Sequence, residues 1–238
     1  MKSKITESLS IAKEKYNSLM SSNVENFWNN PGYGVRRNHC EIFSEIIEKE
    51  FDFNEVRLIE TGVSGRFGYG LFGYYLGAFV EAYGGEMHSV DLDCESCESS
   101  EKIFRENLPN LNYKTYCQDS VSFLQRPPIV PNIVHLDSYD FQLFDPYPSA
   151  LHCWKEFTAI EKIMPKGSII LIDDNWMRGT FLEWFQNGER YEHITILPII
   201  GKGTHVYQET FNGRTDFDLI GDHHVPYKMV KVYIKKRV

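Results

Sequence analysis

The sequence predicts an α/β fold in which a mostly parallel sheet is covered by helices on both faces. From residue 56 onwards, short and continuously apolar runs alternate with amphipathic stretches, as in VRLIE at 56–60 and SIILID at 168–173. Strands buried on both faces give such runs, whereas a strand with one wet face alternates in polarity. The 238 residues are 42% hydrophobic and 24% charged, which is typical of a globular chain with one sizeable core.

Two helices are predicted ahead of the first strand. Apolar residues recur at roughly helical spacing over 3–20 and again over 37–50. The segment between them, at 27–34, is rich in aromatic and turn residues, so it is either a connector packed by its own rings or a lid over a ligand site. We therefore divide the chain into an N-terminal helical cap, 1–54, and a sheet domain, 55–238.

The sheet domain is predicted to alternate strands with helices. Strands are expected at 56–60, 87–91, 113–117, 132–137 and 168–173, and helices at 71–83, 97–108, 121–124 and 148–164. This order is typical of parallel strands joined by helical crossovers. The segments at 193–200, 203–208 and 228–236 are strand-like, and no helix separates the last two, which predicts an antiparallel addition at the edge of the sheet.

Charge and composition exclude several classes of partner. The formal net charge is −8 and the basic residues are dispersed apart from a lysine-rich tail, so we expect no nucleic-acid partner. The longest uncharged run has 14 residues, 67–80, against about 20 for a membrane-spanning helix. The first residues lack the apolar stretch of a signal peptide, and five scattered cysteines suggest reduced thiols. A cytoplasmic location without a membrane partner is therefore expected.

Acidic residues stand at or just beyond the carboxyl end of every strand in the predicted parallel series. They are Glu60, Asp91, Asp119, Asp137 with Asp140, and the pair Asp173 and Asp174. A single carboxylate at such a place is usually solvated or caps the next helix. Ligands of open α/β sheets bind at this edge, and carboxylates crowded there need a cation or hydrogen-bond donors to offset their repulsion.

The turn after the first strand reads Glu60-Thr-Gly62-Val-Ser64-Gly65. Together with the following acids, it resembles the E/D-x-G-x-x-G motif of class I S-adenosylmethionine-dependent methyltransferases, over residues 55–236. The resemblance implies a Rossmann-like, seven-stranded sheet with an antiparallel edge strand, and S-adenosylmethionine bound at this turn. It implies that Asp91 takes the ribose hydroxyls, while Asp119 and Ser120 border the adenine. Residues 66–70 lengthen the turn beyond the family's pattern.

A second resemblance concerns the ends of the fourth and fifth strands. Leu136-Asp137, Pro165-Lys-Gly-Ser and Ile172-Asp173-Asp174-Asn175 are similar to the metal-dependent O-methyltransferases, both the catechol type and those acting on sugars of macrolide and aminocoumarin antibiotics. The resemblance implies Mg²⁺ on Asp137, Asp173, Asp174 and Asn175, an oxygen-rich set that suits this hard ion. In the alternative interpretation the Asp pair caps a following helix and Asp137 contacts only the cofactor.

The sequence offers several candidates for the base that would take the proton of the methyl acceptor. Catechol-type enzymes place a lysine just after the first metal aspartate, but this sequence has Asp140, our first candidate, with Tyr139 or His152 behind it. A metal-bound hydroxyl is already acidic, so a modest base suffices.

The predicted function is Mg²⁺-assisted O-methylation of a small molecule, preferably a sugar or another polyhydroxylated metabolite. The alternatives are a metal-independent methyltransferase with an N or O acceptor, and a cofactor-binding protein without turnover. The acceptor's identity is not predicted, and a homo-oligomer is allowed.

Overall fold

The computed structural model describes residues 1–23, 31–63, 71–140, 145, 147–175, 181–186, 189–194, 202, 206, 217–225 and 228–235. Side chains are described within these ranges except at 31–38, at 175 and in the strands that follow it. Ser64 and Gly65 of the predicted cofactor turn therefore lie outside the described residues. Asn175 is described in its backbone alone.

The elements follow one another largely as the sequence predicts. In chain order they are α1 (Lys2–Asn23), α2 (Pro31–Glu50), β1 (Val56–Thr61), α3 (Phe72–Tyr83), β2 (Gly85–Asp91), α4 (Cys94–Asn107), β3 (Asn112–Cys117), α5 (Ser120–Gln125), β4 (Ile133–Leu136), α6 (Tyr147–Ile160), β5 (Ile169–Asn175), β6 (Phe181–Gln186), β7 (Glu189–Ile194), β8 (Phe217–Val225) and β9 (Lys228–Lys235). All predicted strands and helices up to β5 are present, with shifted ends. α2 begins at Pro31, so the part of the predicted loop at 31–34 is helical, and 27–30 lie outside the described residues.

The main sheet has the strand order β3-β2-β1-β4-β5-β9-β8. The first five strands are parallel, which confirms the mostly parallel α/β prediction. β9 pairs antiparallel with both β5 and β8. The prediction that the antiparallel strand forms the edge of the sheet is therefore wrong. The antiparallel strand β9 lies between β5 and β8, and β8 forms the edge. The polar sequence of β8, FDLIGDHHV, hid this strand, since it lacks the apolar run that marked the others.

The predictions for the segment before β8 are partly wrong. Of the strand expected at 193–200, the described residues 193 and 194 are the last two of β7, which pairs with β6 in a separate two-stranded sheet, and 195–200 lie outside the described residues. Within the strand expected at 203–208, the one described residue, Val206, is helical and buried. The six residues 203–208 are of mixed polarity, and so short a segment does not distinguish a strand from a helix by its pattern.

The two faces of the sheet are covered by different helices. Buried side chains of α1, α2 and α3 pack with Leu58, Met87 and Leu171 on one face, while those of α5 and α6 pack with Ile59 and Ile170 on the other. Successive strand residues point to opposite faces, which places neighbours such as Leu58 and Ile59 in separate clusters. The N-terminal helices are thus present and join the first cluster, while the boundary at residue 54 stays a prediction.

Two further expectations concern membranes and thiols. Among the described helices, none is long and apolar enough to cross a membrane. The expectation of reduced cysteines is wrong for one pair, because Cys94 at the start of α4 and Cys117 at the end of β3 form a disulfide. Cys40, Cys97 and Cys153 are buried thiols. The disulfide joins residues that are 23 positions apart and become neighbours only in the folded sheet.

Candidate functional site

The acids of β4 and β5 meet at the carboxyl end of the sheet. Leu136 of β4 pairs with Ile172 of β5, so the residues that follow them, Asp137 and Asp173, stand at the same level. We call Asp137, Asp173 and Asp174 the acid cluster. Asp173 and Asp174 are buried, and Asp137 is partly exposed.

A local distortion lets two successive aspartates point into the same region. The pairing of β5 with β9 shifts register between Ile172 and Asn175, and Asp174 has a φ of 53°, in the left-handed region that Asp and Asn tolerate better than most residues. The amide of Asp174 donates to Oδ1 of Asp173 at 2.7 Å. In a regular strand the two carboxylates would lie on opposite faces, so the bulge accounts for their convergence.

A lysine from far along the chain lies between two of these acids. The Nζ atom of Lys202 is 3.3 Å from Oδ1 of Asp137 and 3.1 Å from Oδ2 of Asp174, and the side chain is fully buried. Burial lowers the pKa of Lys202, but the carboxylates of Asp137, Asp174 and Asp173 outweigh it and raise that pKa above its ordinary value. Lys202 is therefore an ammonium cation. No motif pointed to it.

Two histidines lie next to buried acids at the same edge. Nδ1 of His135 is 3.3 Å from Oε1 of Glu60, and Nε2 of His39 is 3.8 Å from Oδ1 of Asp173. Burial lowers the pKa of His135, but the hydrogen bond with Glu60 and the charges of Asp137, Glu60 and Asp173 give a net increase. The sequence analysis did not single out either histidine, although His135 stands two residues before a strand-end aspartate.

Glu60, predicted to bind cofactor, is engaged within the protein. Its Oε2 atom accepts a hydrogen bond from Ser89 at 3.0 Å, and Oε1 faces His135. A Cβ atom at Gly73 of α3 would come within 2.5 Å of Oε1. The carboxylate thus fills the space between α3 and the sheet, so any contribution to cofactor binding would pass through the groups it holds.

The turn after β1 approaches the backbone of β4 closely. Gly62 has a φ of 83°, and a Cβ atom there would lie 2.5 Å from the carbonyl oxygen of Asp137, so only glycine fits. Asp91 at the end of β2 accepts hydrogen bonds from the amides of Val63 at 2.7 Å and Asp93 at 2.8 Å. The structure therefore brings the predicted Gly62 turn and Asp91 together.

The predicted adenine residues lie at the start of α5, beside α6. Asp119 caps α5 by accepting from the amide and hydroxyl of Ser122, and these hydrogen bonds lower its pKa. Ser120 Oγ is 2.9 Å from Nε2 of His152. The disulfide between Cys94 and Cys117 ties the start of α4 to the end of β3, so the segments beyond β2 and β3 are covalently linked.

The candidate bases are in different environments. Asp140 is exposed, whereas His152 is half-buried and its ring centre is 5.6 Å from that of Tyr139. Glu156, one helical turn after His152, is fully buried, accepts from the Ser138 hydroxyl at 2.5 Å and lies 3.6 Å from Nε2 of His152. The sequence analysis missed Glu156, which the i, i+4 spacing from His152 on α6 could have indicated.

The predicted magnesium site does not fit this arrangement. Carboxylate oxygens suit Mg²⁺, but the ammonium of Lys202 lies between Asp137 and Asp174, where it would repel a divalent ion. Among the described side chains, the group whose ligand atoms lie within 4.8 Å of one another is His135, Asp137 and Asp173. Its nitrogen donor is less typical of magnesium, so the magnesium prediction lacks support from the geometry.

The described residues also contain a cavity away from this edge. Its volume is about 420 Å³, and it lies between α1 and α2, lined by residues such as Lys13, Glu41 and Ser44. It shares no residue with the acid cluster or the Gly62 turn, so we do not assign it to the cofactor.

Comparison with known proteins finds similar structures but no similar sequences. No protein-family model matches the chain, and no curated protein matches its sequence. Many solved structures are nevertheless similar. The magnesium protoporphyrin IX methyltransferase ChlM from Synechocystis PCC 6803, solved with bound SAM, has a TM-score of 0.54 at 10% identity, covering 96% of this chain and 97% of that one.

Two further structures extend the likeness. A S-adenosylmethionine-dependent methyltransferase from Clostridium acetobutylicum has a TM-score of 0.50 at 11% identity, with 93% of this chain and 96% of that one covered. TrmN from Thermus thermophilus has a TM-score of 0.53 at 10% identity over 80% of this chain, which spans about half, 47%, of TrmN. The likeness to catechol-type and sugar O-methyltransferases stays a prediction. Together with the strand order and the Gly62 turn, these similarities establish that the chain has the fold of the class I S-adenosylmethionine-dependent methyltransferases.

Proposed function

We propose that this protein is an S-adenosylmethionine-dependent methyltransferase that methylates a hydroxyl group of a small molecule. The observation that carries the proposal is the contact between Asp91 and the amide of Val63. It joins the end of β2 to the Gly62 turn at the edge of the sheet where ligands of this architecture bind. The proposal needs one carboxylate and one close-approaching backbone at that point, and both are present.

The chemistry of these residues suits the cofactor. The Asp91 carboxylate can accept hydrogen bonds from two neighbouring ribose hydroxyls, and the hydrogen bond that it accepts from the amide of Val63 holds it beside the Gly62 turn. The strand ends carry acids rather than the clustered donors a phosphate requires, which favours a cationic, phosphate-free cofactor. When bound, S-adenosylmethionine supplies an electrophilic methyl group on a positively charged sulfur.

The acceptor is proposed to be a hydroxyl because two side chains that could take its proton, His152 and Asp140, lie near the strand ends. In the transfer the acceptor oxygen forms a bond to the methyl carbon, the carbon–sulfur bond breaks, and the hydroxyl proton passes to a base. His152 and Asp140 are the proposed bases, and catalysis would come mainly from holding the reacting groups in line. The preference for a sugar or another polyhydroxylated metabolite rests on the Asp173–Asp174 pair alone.

The proposed transfer could proceed with or without Mg²⁺, and the geometry of the acid cluster favours transfer without it. Lys202 already supplies a cation to Asp137 and Asp174. We therefore propose transfer that proceeds without a divalent ion. Full activity in a chelator would support this version, whereas loss of activity that returns on adding Mg²⁺ would restore the magnesium-assisted one.

Calorimetry with the demethylated product, S-adenosylhomocysteine, tests the cofactor assignment. Asp91→Ala removes a charged acceptor of hydrogen bonds worth about 1.5–3 kcal/mol each, so the affinity should fall at least about tenfold. Asp52→Ala, an exposed residue before β1, is the matched control and should bind as the native protein does. Absence of any binding to the native protein would refute the proposed function.

Turnover is tested with methyl-labelled cofactor and a panel of acceptors. We expect label on the oxygen of a hydroxylated metabolite, identified by mass spectrometry. Label on an amine would favour the N-methyltransferase alternative. Tight product binding with no transfer to any acceptor class would favour a cofactor-binding protein without turnover.

A further inference from the structure

We infer that Lys202 is a built-in cation that takes the place of a divalent metal ion in the acid cluster and positions Asp137 and Asp174. The inference concerns the same site as the proposed function. It rests on that function only in experiments that measure methyl transfer. Its metal-binding test stands independently of methyl transfer.

The first argument is the position of the ammonium. Its nitrogen lies at 3.1 Å from one carboxylate and 3.3 Å from the other, which are ion-pair distances for an ammonium, with Mg²⁺–oxygen bonds being shorter, at about 2.0–2.1 Å. Asp137 follows β4, and Asp174 belongs to β5. The lysine therefore links the ends of two neighbouring strands, as a metal shared by them would.

The second argument is the pairing of acids with basic side chains across the buried edge. Glu60 faces His135, Asp173 faces His39, and Asp137 and Asp174 share Lys202. Carboxylates this close and this buried require compensation. Here every acid of the group has a basic side chain beside it, and Lys202 supplies the cation that Asp137 and Asp174 share.

The third argument connects the lysine to the cofactor turn. The backbone of Asp137 packs directly against Gly62, where even a Cβ atom would collide with it. Holding the Asp137 carboxylate therefore fixes the strand end on which the Gly62 turn rests. We conclude that Lys202 is a positioning residue, acting through Asp137.

The test is Mn²⁺ binding, followed by electron paramagnetic resonance on the native protein and on Lys202→Met. The native protein should show no site tighter than about 100 µM, an affinity well below that of a dedicated site. Removing the ammonium leaves carboxylates that attract a divalent ion, so Lys202→Met should bind one Mn²⁺ at least about tenfold more tightly than the native protein.

Three further variants make the result decisive. Lys202→Arg keeps a cation and should exclude Mn²⁺, and Lys155→Met, an exposed lysine on α6, should match the native protein. If Lys202→Met does not fold, Lys202→Gln takes its place in the comparison. A tight Mn²⁺ site in the native protein, or no gain of binding in a folded neutral variant, would overturn the inference.

Binding of S-adenosylhomocysteine separates this inference from the proposed function. If the native protein binds neither the product nor Mn²⁺ while Lys202→Met gains Mn²⁺, the methyltransferase proposal fails and the role of Lys202 stands. If the native protein binds the product and also needs Mn²⁺ for methyl transfer, the role of Lys202 fails and the methyltransferase proposal stands.

Discussion

The two halves of the candidate site differ in how their residues are brought together. At the cofactor turn, Gly62 and Val63 follow β1 and Asp91 ends β2. The amide of Gly62 donates to the Val90 carbonyl and the amide of Val63 to the Asp91 carboxylate. At the acid cluster, Asp137 and Asp174 are joined by Lys202, which lies 65 residues after Asp137. The difference teaches that residues at the ends of successive strands can be located from a sequence motif. The cation that neutralises such acids, here Lys202, can come from a distant part of the chain.

The comparison is most strongly tested by Gly62→Ala. The new Cβ atom would collide with the carbonyl oxygen of Asp137 at a positive φ, so we expect a loss of about 4 kcal/mol in unfolding free energy, combining strain and overpacking. Product affinity should fall as well. Gly84→Ala is the matched control, since Gly84 has a φ of 97° but no atom within 4 Å of the added carbon. Equal losses in both variants would contradict the close approach.

The disulfide sharpens the comparison, because it reinforces only the cofactor side of the site. Reducing the bond between Cys94 and Cys117 should lower the unfolding free energy by about 3 kcal/mol, as a loop of this length is released. Thermal unfolding with and without reductant measures the effect. The double variant Cys94→Ser with Cys117→Ser should be insensitive to reductant. Two free thiols at these positions, found by mass spectrometry of the native protein, would rule the bond out.

At the acid cluster, Asp174→Asn removes one charge while keeping a residue that tolerates the left-handed backbone. Lys202 would retain Asp137 but lose the negative charge of its partner at 3.1 Å, and a hydrogen bond to a charged group is worth about 2 kcal/mol. Urea unfolding should show a loss of this size. Asp52→Asn, at an exposed position, is the control. If both variants were equally stable, the ion pair would contribute nothing.

The smallest expected effect is a pH dependence from His135. Its pKa is raised in the folded protein, so its contribution to stability is fully present below the unfolded pKa of about 6.5 and is lost as pH rises through the folded pKa. The unfolding free energy should fall across that window by at most about 1.4 kcal/mol per pH unit. In His135→Gln the slope should be flatter, and an unchanged slope would show that His135 does not titrate there.

The sequence predicted those parts of the fold that local patterns encode. β1, β4 and β5 contain apolar runs that are buried in the sheet, and Asp91 could be placed because it ends a predicted strand. β8 escaped prediction because its sequence lacks an apolar run, and its pairing with β9 is visible only in the fold. The helical backbone at Val206 was mistaken for a strand because five or six residues of mixed polarity fit either structure.

In the candidate site, too, the sequence predicted the residues that a local pattern marks and missed those that only the fold brings together. The acids of the strand ends were located because parallel strands bring their carboxyl ends to one edge. Lys202 and His39 were not, because their roles depend on which buried carboxylate each side chain reaches, a tertiary property that no spacing encodes. Glu156 was also missed, although its i, i+4 spacing from His152 on α6 could have indicated it. The convergence of Asp173 and Asp174 required a bulge at the end of β5, a feature that sequence alone does not reveal.

The most direct measurement is a crystal structure of the native protein grown with S-adenosylhomocysteine and excess Mn²⁺, with anomalous data collected at the manganese edge. We predict product density with its ribose hydroxyls on Asp91, Lys202 in contact with Asp137 and Asp174, and no anomalous peak between these carboxylates. An anomalous peak there with Lys202 displaced, or product bound away from the Gly62 turn, would contradict the account.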